Sequence, residues 1–263
     1  MEAFAFGNVE STLQLWLLAM IRPGAAMLAA PFFGAGNVPV QLRLVLALAL
    51  GMPAAAMVTP AIPADGLVSL NGILLMAGEA LAGLAMGFAL QIGFAAALLA
   101  GETISNLMGI GFAAMADPST GQPSPAIGQY LSMLALFLFL AGDGHLLFFE
   151  IVFESYRTLP PGAAWLSSET LGGIVQFGGL VFTAGLAVAM PVLSALLLVQ
   201  AIFAMVSRAA PTLNLFSVGL PATLSAGIIL LAIATPVMAD GLARAMTEAM
   251  AEVTRIAKGQ VDG

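Results

Sequence analysis

The chain has 263 residues, of which 60% are hydrophobic and only 8% charged, and its mean hydropathy is +1.04. A water-facing domain carries about 25% charged residues, so lipid or other apolar protein must cover much of this surface. Seven Lys and Arg against fourteen Asp and Glu, a net charge of −7, exclude a basic nucleic-acid face, and the absence of Cys excludes disulfides and thiolate metal sites.

The charges are placed as a membrane protein would place them. No Asp, Glu, Lys or Arg falls between Glu79 and Glu102, Asp117 and Asp143, Glu169 and Arg208, or Arg208 and Asp240. Each gap meets or exceeds the ~20 apolar residues that a helix needs to cross the hydrocarbon core. Backbone in lipid must satisfy its own hydrogen bonds, and these Leu- and Ala-rich runs lack the alternation of barrel strands. The fold class expected is all-α: a polytopic membrane protein of kinked helices and helical hairpins.

The N-terminus carries Glu2 and Glu10 with no basic stretch, so the first apolar run reads as a retained span rather than a signal peptide. That span covers about 11–33 and is interrupted by Arg22-Pro23. A turn at 34–39 leads to a second span, 43–62, and Pro60, Pro63, Asp65 and Gly66 mark the next turn. A long helix follows from near Leu67 to about Met108. Breakers then crowd residues 109–125: Gly109, Gly111, Asp117, Pro118, Gly121, Pro123 and Pro125. No regular helix tolerates that density. A span over 126–141, a Gly-Asp-Gly turn and a short helix ending near Leu159 come next. The run 170–207 is too long for one ordinary span, and Pro191 predicts a kink or hairpin within it. The last span covers 213–238. Beyond Asp240, Leu242, Met246, Ala249, Val253 and Ile256 share one helical face, predicting an amphipathic helix at the membrane surface or against a partner. The organisation expected is one integral domain, 1–240, with an irregular loop at 109–125, then a C-terminal amphipathic tail, 241–263. The few basic residues at the C-terminal end favour a cytoplasmic C-terminus.

Intramembrane charge is costly unless it is paired or functional. Arg22 and Glu79 therefore admit two readings: an ion or proton path, or a structural pairing and interfacial placement. Glu102 and Arg208 are the other polar residues bordering apolar runs. His145, the single histidine, cannot build a histidine metal site alone and reads as a polar residue at the start of the short helix. Asp117 and Asp143 lie in turns and do not make a convincing protease pair, and no G-x-S-x-G elbow occurs. No catalytic set, cofactor or metal is expected. Gly83 and Gly87 form a GxxxG step of the kind that lets helices approach closely in lipid. Phe112 and Met115, set among glycines, could seal a channel, since irregular backbone at membrane depth needs a protein-lined place to sit.

Several ordered segments carry a family resemblance. Residues 101–118 (GETISNLMGIGFAAMADP) resemble the FliR pattern in which G-E-x-I-x-x-x-M-G leads into a D-P loop. Residues 138–146 (LFLAGDGHL) are similar to its L-F-L…N-G-H-L, with Asp143 where Asn is more familiar. Residues 207–221 (SRAAPTLNLFSVGLP) resemble its R-x-A-P-Q-L-x-x-F-x-x-G-x-P, with Thr212 replacing Gln, and Arg22, Pro31 and Pro39 stand where the family carries an Arg and two prolines. The resemblance implies a non-enzymatic subunit of the flagellar type III export gate in the bacterial inner membrane. It implies packing with FliP-like and FliQ-like subunits, an FlhB-like partner, a FliO-like assembly factor and unfolded flagellar proteins as cargo. It further implies that residues 109–125 plug the resting channel. The rival readings are an injectisome homologue that exports virulence effectors and a small-solute or proton transporter using Arg22 and Glu79.

Overall fold

The computed structural model describes residues 6–32, 38–58, 62–63, 65–110, 126–163, 168–209 and 219–259. Among these it contains eight helices and no strand: α1 (Phe6–Ala29), α2 (Val40–Ala55), α3 (Leu70–Leu107), α4 (Ala126–Ala141), α5 (Gly144–Thr158), α6 (Ser168–Phe177), α7 (Leu180–Ala209) and α8 (Leu220–Ala257). The protein is an all-α polytopic membrane protein. Among the described residues, four helical stretches are long and apolar enough to cross a bilayer, Val9–Ala29, Leu70–Leu107, Gly172–Ala209 and Leu220–Ala257, or five if α4 and α5 count as one span. At 16 residues, α2 is shorter than such a span.

Local chemistry explains the boundaries. Before α3, the Ser69 hydroxyl accepts the Gly72 amide (3.1 Å) and donates to the Gly66 carbonyl (2.7 Å), capping the helix start. Thirty-eight residues then run without proline, and the helix ends where Gly109 adopts φ +81°, a left-handed conformation that glycine takes without strain. Between α4 and α5, Asp143 (φ 54°) is the single non-glycine residue with positive φ among those described. Asp and Asn are the residues that best tolerate this region after glycine.

Three expected boundaries moved. The helix α1 runs through Pro23 without interruption. The run 170–207 breaks at Gly178-Gly179 rather than at Pro191, which lies inside α7; each of the two adjacent glycines lowers helix propensity by about 1 kcal/mol. The C-terminal amphipathic segment is continuous with α8, and its apolar face of Leu242, Met246, Ala249, Val253 and Ile256 is buried within the chain itself.

The chain divides into two compact units. The first comprises residues 1–92, 143–178 and 248–263; the second comprises 93–142 and 179–247. In the first, Ala19, Ala54, Val58 and Tyr156 form a buried cluster bordered by Leu15, Met57 and Phe153. In the second, Phe94 meets Phe139 edge to face at 5.6 Å, and a Cβ on Gly101 would collide with the backbone of Ile127 and Gly128. The numbering shows α3 and α4 antiparallel in direct backbone contact there.

Candidate functional site

In the first unit, α1, α3 and α5 meet at a buried charge. Arg22 is 1% exposed and Glu79 3%. Arg22 Nε donates to Glu79 Oε2 at 2.9 Å, and Nη2 donates to Oε1 at 2.8 Å, the two-pronged geometry that suits guanidinium and carboxylate. Nη1 donates to Ser155 Oγ at 2.9 Å, and Nη2 also donates to the Leu159 carbonyl at 2.9 Å. Four of the five guanidinium N–H groups are thus engaged. The Tyr156 ring lies beneath the cation at 4.2 Å, a desolvated cation–π contact. The Ser155 hydroxyl donates in turn to the Val152 carbonyl at 2.6 Å. The charges balance, and the extra hydrogen bonds offset part of the desolvation penalty that a buried ion pair carries. Arg22 and Glu79 are thus bonded to each other, and Arg22 also to Ser155 and the Leu159 carbonyl, with one Nη1 N–H outside these bonds.

The glycine step belongs to the same crossing. A Cβ on Gly83 would strike the Arg22 carbonyl, and one on Gly87 the Ala26 carbonyl. Residues 79, 83 and 87 fall at i, i+4 and i+8 on α3, so the ion pair and both glycines share one face. Contact positions on α1 rise from 22 to 26 as those on α3 rise from 83 to 87, so the two helices run parallel here. Backbones this close exclude side chains, and the charge sits at the end of the close approach. The end of α5 is also tied to the chain terminus: Thr158 Oγ1 donates to the Ala257 carbonyl at 2.6 Å.

In the second unit, the end of α3 borders an open cavity of about 510 Å³, lined by Leu107, Met108, Gly109, Gln200, Phe203 and Leu220 among others. Gln200 Nε2 donates to the Leu107 carbonyl at 2.7 Å, answering one of the carbonyls that a helix end leaves free. Met108 is buried against Gly227 of α8. Of the gating residues expected from sequence, only Gly109 is described. Gly111, Phe112, Met115, Asp117, Pro118, Gly121 and Pro125 lie outside the described residues.

The remaining polar candidates are scattered. Glu102 is exposed on α3, and Arg208 is exposed in the last turn of α7, where a cation suits the helix dipole. His145 is the half-buried second residue of α5, and its Nδ1 has no hydrogen-bond partner. Among the described residues no three His, Cys, Asp or Glu side chains could hold a metal ion. Sequence reasoning singled out Arg22 and Glu79 separately and did not join them, and it missed Ser155, Tyr156 and the Leu159 carbonyl. The usable signal was register: Glu79 stands one turn before Gly83.

The chain matches the model of Bacterial export proteins, family 1, over residues 13–249. The protein named Flagellar biosynthetic protein FliR from Escherichia coli (strain K12) is 34% identical over 231 residues, 87% of each chain. The chain belongs to the FliR family. Two further FliR proteins are each 30% identical. That of Bacillus subtilis (strain 168) aligns over 226 residues, 85% of this chain and 86% of its own; that of Caulobacter vibrioides aligns over 261 residues, 97% and 99%. The FliR-like segments acquire physical meaning in this light. The M-G pair of the first is Met108-Gly109, the buried end of α3 and its left-handed stop. The Asn position of the second is Asp143, whose positive φ suits either residue.

Proposed function

We propose that this FliR-family chain is a subunit of the flagellar type III protein export gate in the bacterial inner membrane, at the flagellar basal body. It forms part of the channel wall with FliP-like and FliQ-like subunits, adjoins an FlhB-like protein, and enters the complex with a FliO-like assembly factor. Unfolded flagellar proteins are the cargo. The observation that carries this reading is the match to flagellar FliR proteins over most of both chains. Exposed apolar side chains support it: Phe182, Met190, Leu198, Ile202 and Met205 on α7, and Ile228, Ile229, Ile233 and Val237 on α8. Surface of this kind must be covered by lipid or by other subunits.

Within this reading, residues 109–125 form the plug, with Gly109 turning the chain out of α3 and Phe112 and Met115 sealing the pore. No catalytic step is assigned to the chain. Two measurements test the proposal. Mild-detergent extraction from native membranes is expected to recover FliP-like and FliQ-like partners, and solute uptake by the chain alone in liposomes would count against it. Replacing both Phe112 and Met115 with Gly is expected to leave an assembled gate leaky to small ions. Unchanged permeability in a correctly assembled variant would remove the plug assignment.

A further inference from the structure

Pro23 lies inside α1 and has no N–H, so the carbonyl four residues earlier, that of Ala19, loses its helical donor. Ala19 is fully buried. A stranded buried carbonyl is costly, and in a membrane helix a neighbour must answer it. The Tyr156 hydroxyl of α5 does so, donating to the Ala19 carbonyl at 2.8 Å. Positions 19 and 22 are one turn apart on α1, so the same tyrosine passes its ring beneath Arg22 at 4.2 Å and its hydroxyl to the gap that Pro23 opens.

We infer that Tyr156 is a positioning residue that replaces the backbone donor missing at Pro23, and that Pro23 and Tyr156 together form a joint fixing α5 against α1. The ion pair and the joint do different work. Arg22 binds α1 to α3 through Glu79 and also reaches Ser155 Oγ and the Leu159 carbonyl. The Tyr156 hydroxyl bond instead answers the backbone of α1 itself, at the one carbonyl that Pro23 leaves without its helical donor. Phenylalanine could supply the ring and the cation–π contact but not this bond. The inference rests on contacts within the first unit and does not depend on the export reading.

The test is a cycle of Tyr156→Phe, Pro23→Ala and the double variant in the full chain, purified in mild detergent with its co-purifying subunits. Tyr156→Phe is expected to lower the unfolding midpoint by roughly 2–4 °C, one buried hydrogen bond in a chain of this size. In the Pro23→Ala background the restored amide at position 23 takes the Ala19 carbonyl, so the same substitution should cost less than half as much. An equal drop in both backgrounds, or none with Pro23 present, would overturn the inference. Should Pro23→Ala fail to accumulate, amide exchange in wild type and Tyr156→Phe decides. Faster exchange confined to the turn of α1 around 19–24 supports the joint, and uniform or absent change refutes it.

Discussion

Glu79→Leu isolates the energetics of the buried pair. It removes the acceptor of two guanidinium hydrogen bonds, at 2.8 and 2.9 Å, and leaves Arg22 1% exposed with Ser155 and the Leu159 carbonyl as its polar partners. Arginine cannot shed its charge, so the variant keeps an uncompensated cation in a dry site. Breaking a buried pair from one side costs about 3–5 kcal/mol. At about 1.4 kcal/mol per tenfold change, that is on the order of a hundred- to a few-thousandfold loss in the folding equilibrium. Arg22→Met should cost less, because a carboxyl left alone can be neutralised by a proton and a guanidinium cannot. The double variant Arg22→Met, Glu79→Leu exchanges the pair for apolar groups of similar volume and should recover most of the loss. The assay is the yield and thermal midpoint of the detergent-purified chain, with swimming of a strain carrying each variant as its only FliR. A Glu79→Leu protein as stable as wild type would refute the reasoning. So would a double variant that assembles at normal yield yet supports no swimming, since the charges would then act in transport rather than in packing.

Gly83→Leu and Gly87→Leu place side chains in the path of the Arg22 and Ala26 carbonyls and should cost at least 1–3 kcal/mol, roughly the cost of overpacking. Gly78→Ala, which meets nothing within 4 Å, should instead gain up to about 1 kcal/mol of helix propensity; thermal midpoints of the three variants decide. Asp143→Asn should leave stability unchanged, whereas Asp143→Val, a β-branched residue at φ 54°, should lose about 1–2 kcal/mol. Gly109→Ala, at φ +81°, should lose about 1 kcal/mol and raise ion leakage if the turn aims the plug, as patch recording on the assembled gate would register.

The long charge-free gaps marked the apolar spans because lipid imposes one rule on every residue within them. The ends of α4 were readable because Pro125 and Gly142 bound a clean apolar run. Prolines misled, since helices here run through Pro23, Pro53, Pro191 and Pro236. At Pro23 a tyrosine 133 residues further on answers the freed carbonyl, and local sequence does not reveal so distant a donor. The amphipathic face after Asp240 was correctly grouped by period, but period says only that a face is buried and not what buries it. Arg22 and Glu79 stood out as costly residues for the same reason they pair, and their 57-residue separation hid the pairing. Two FliR-like motif residues, Gly109 and Asp143, stood out in sequence and sit at positive φ, where few residue types fit the backbone.

The polar core of the first unit has a consequence for biosynthesis. Ser155 and Tyr156 lie 133 and 137 residues from their partners on α1. At ribosomal speeds of about 5–20 residues per second, roughly 7–27 seconds separate the synthesis of Arg22 and Ala19 from the arrival of α5. Through that interval the first helix carries an unmet carbonyl and a cation whose pocket is unfinished. Settling at the bilayer centre before α5 arrives would leave both groups unanswered, at the cost that lipid imposes on unsatisfied polar groups.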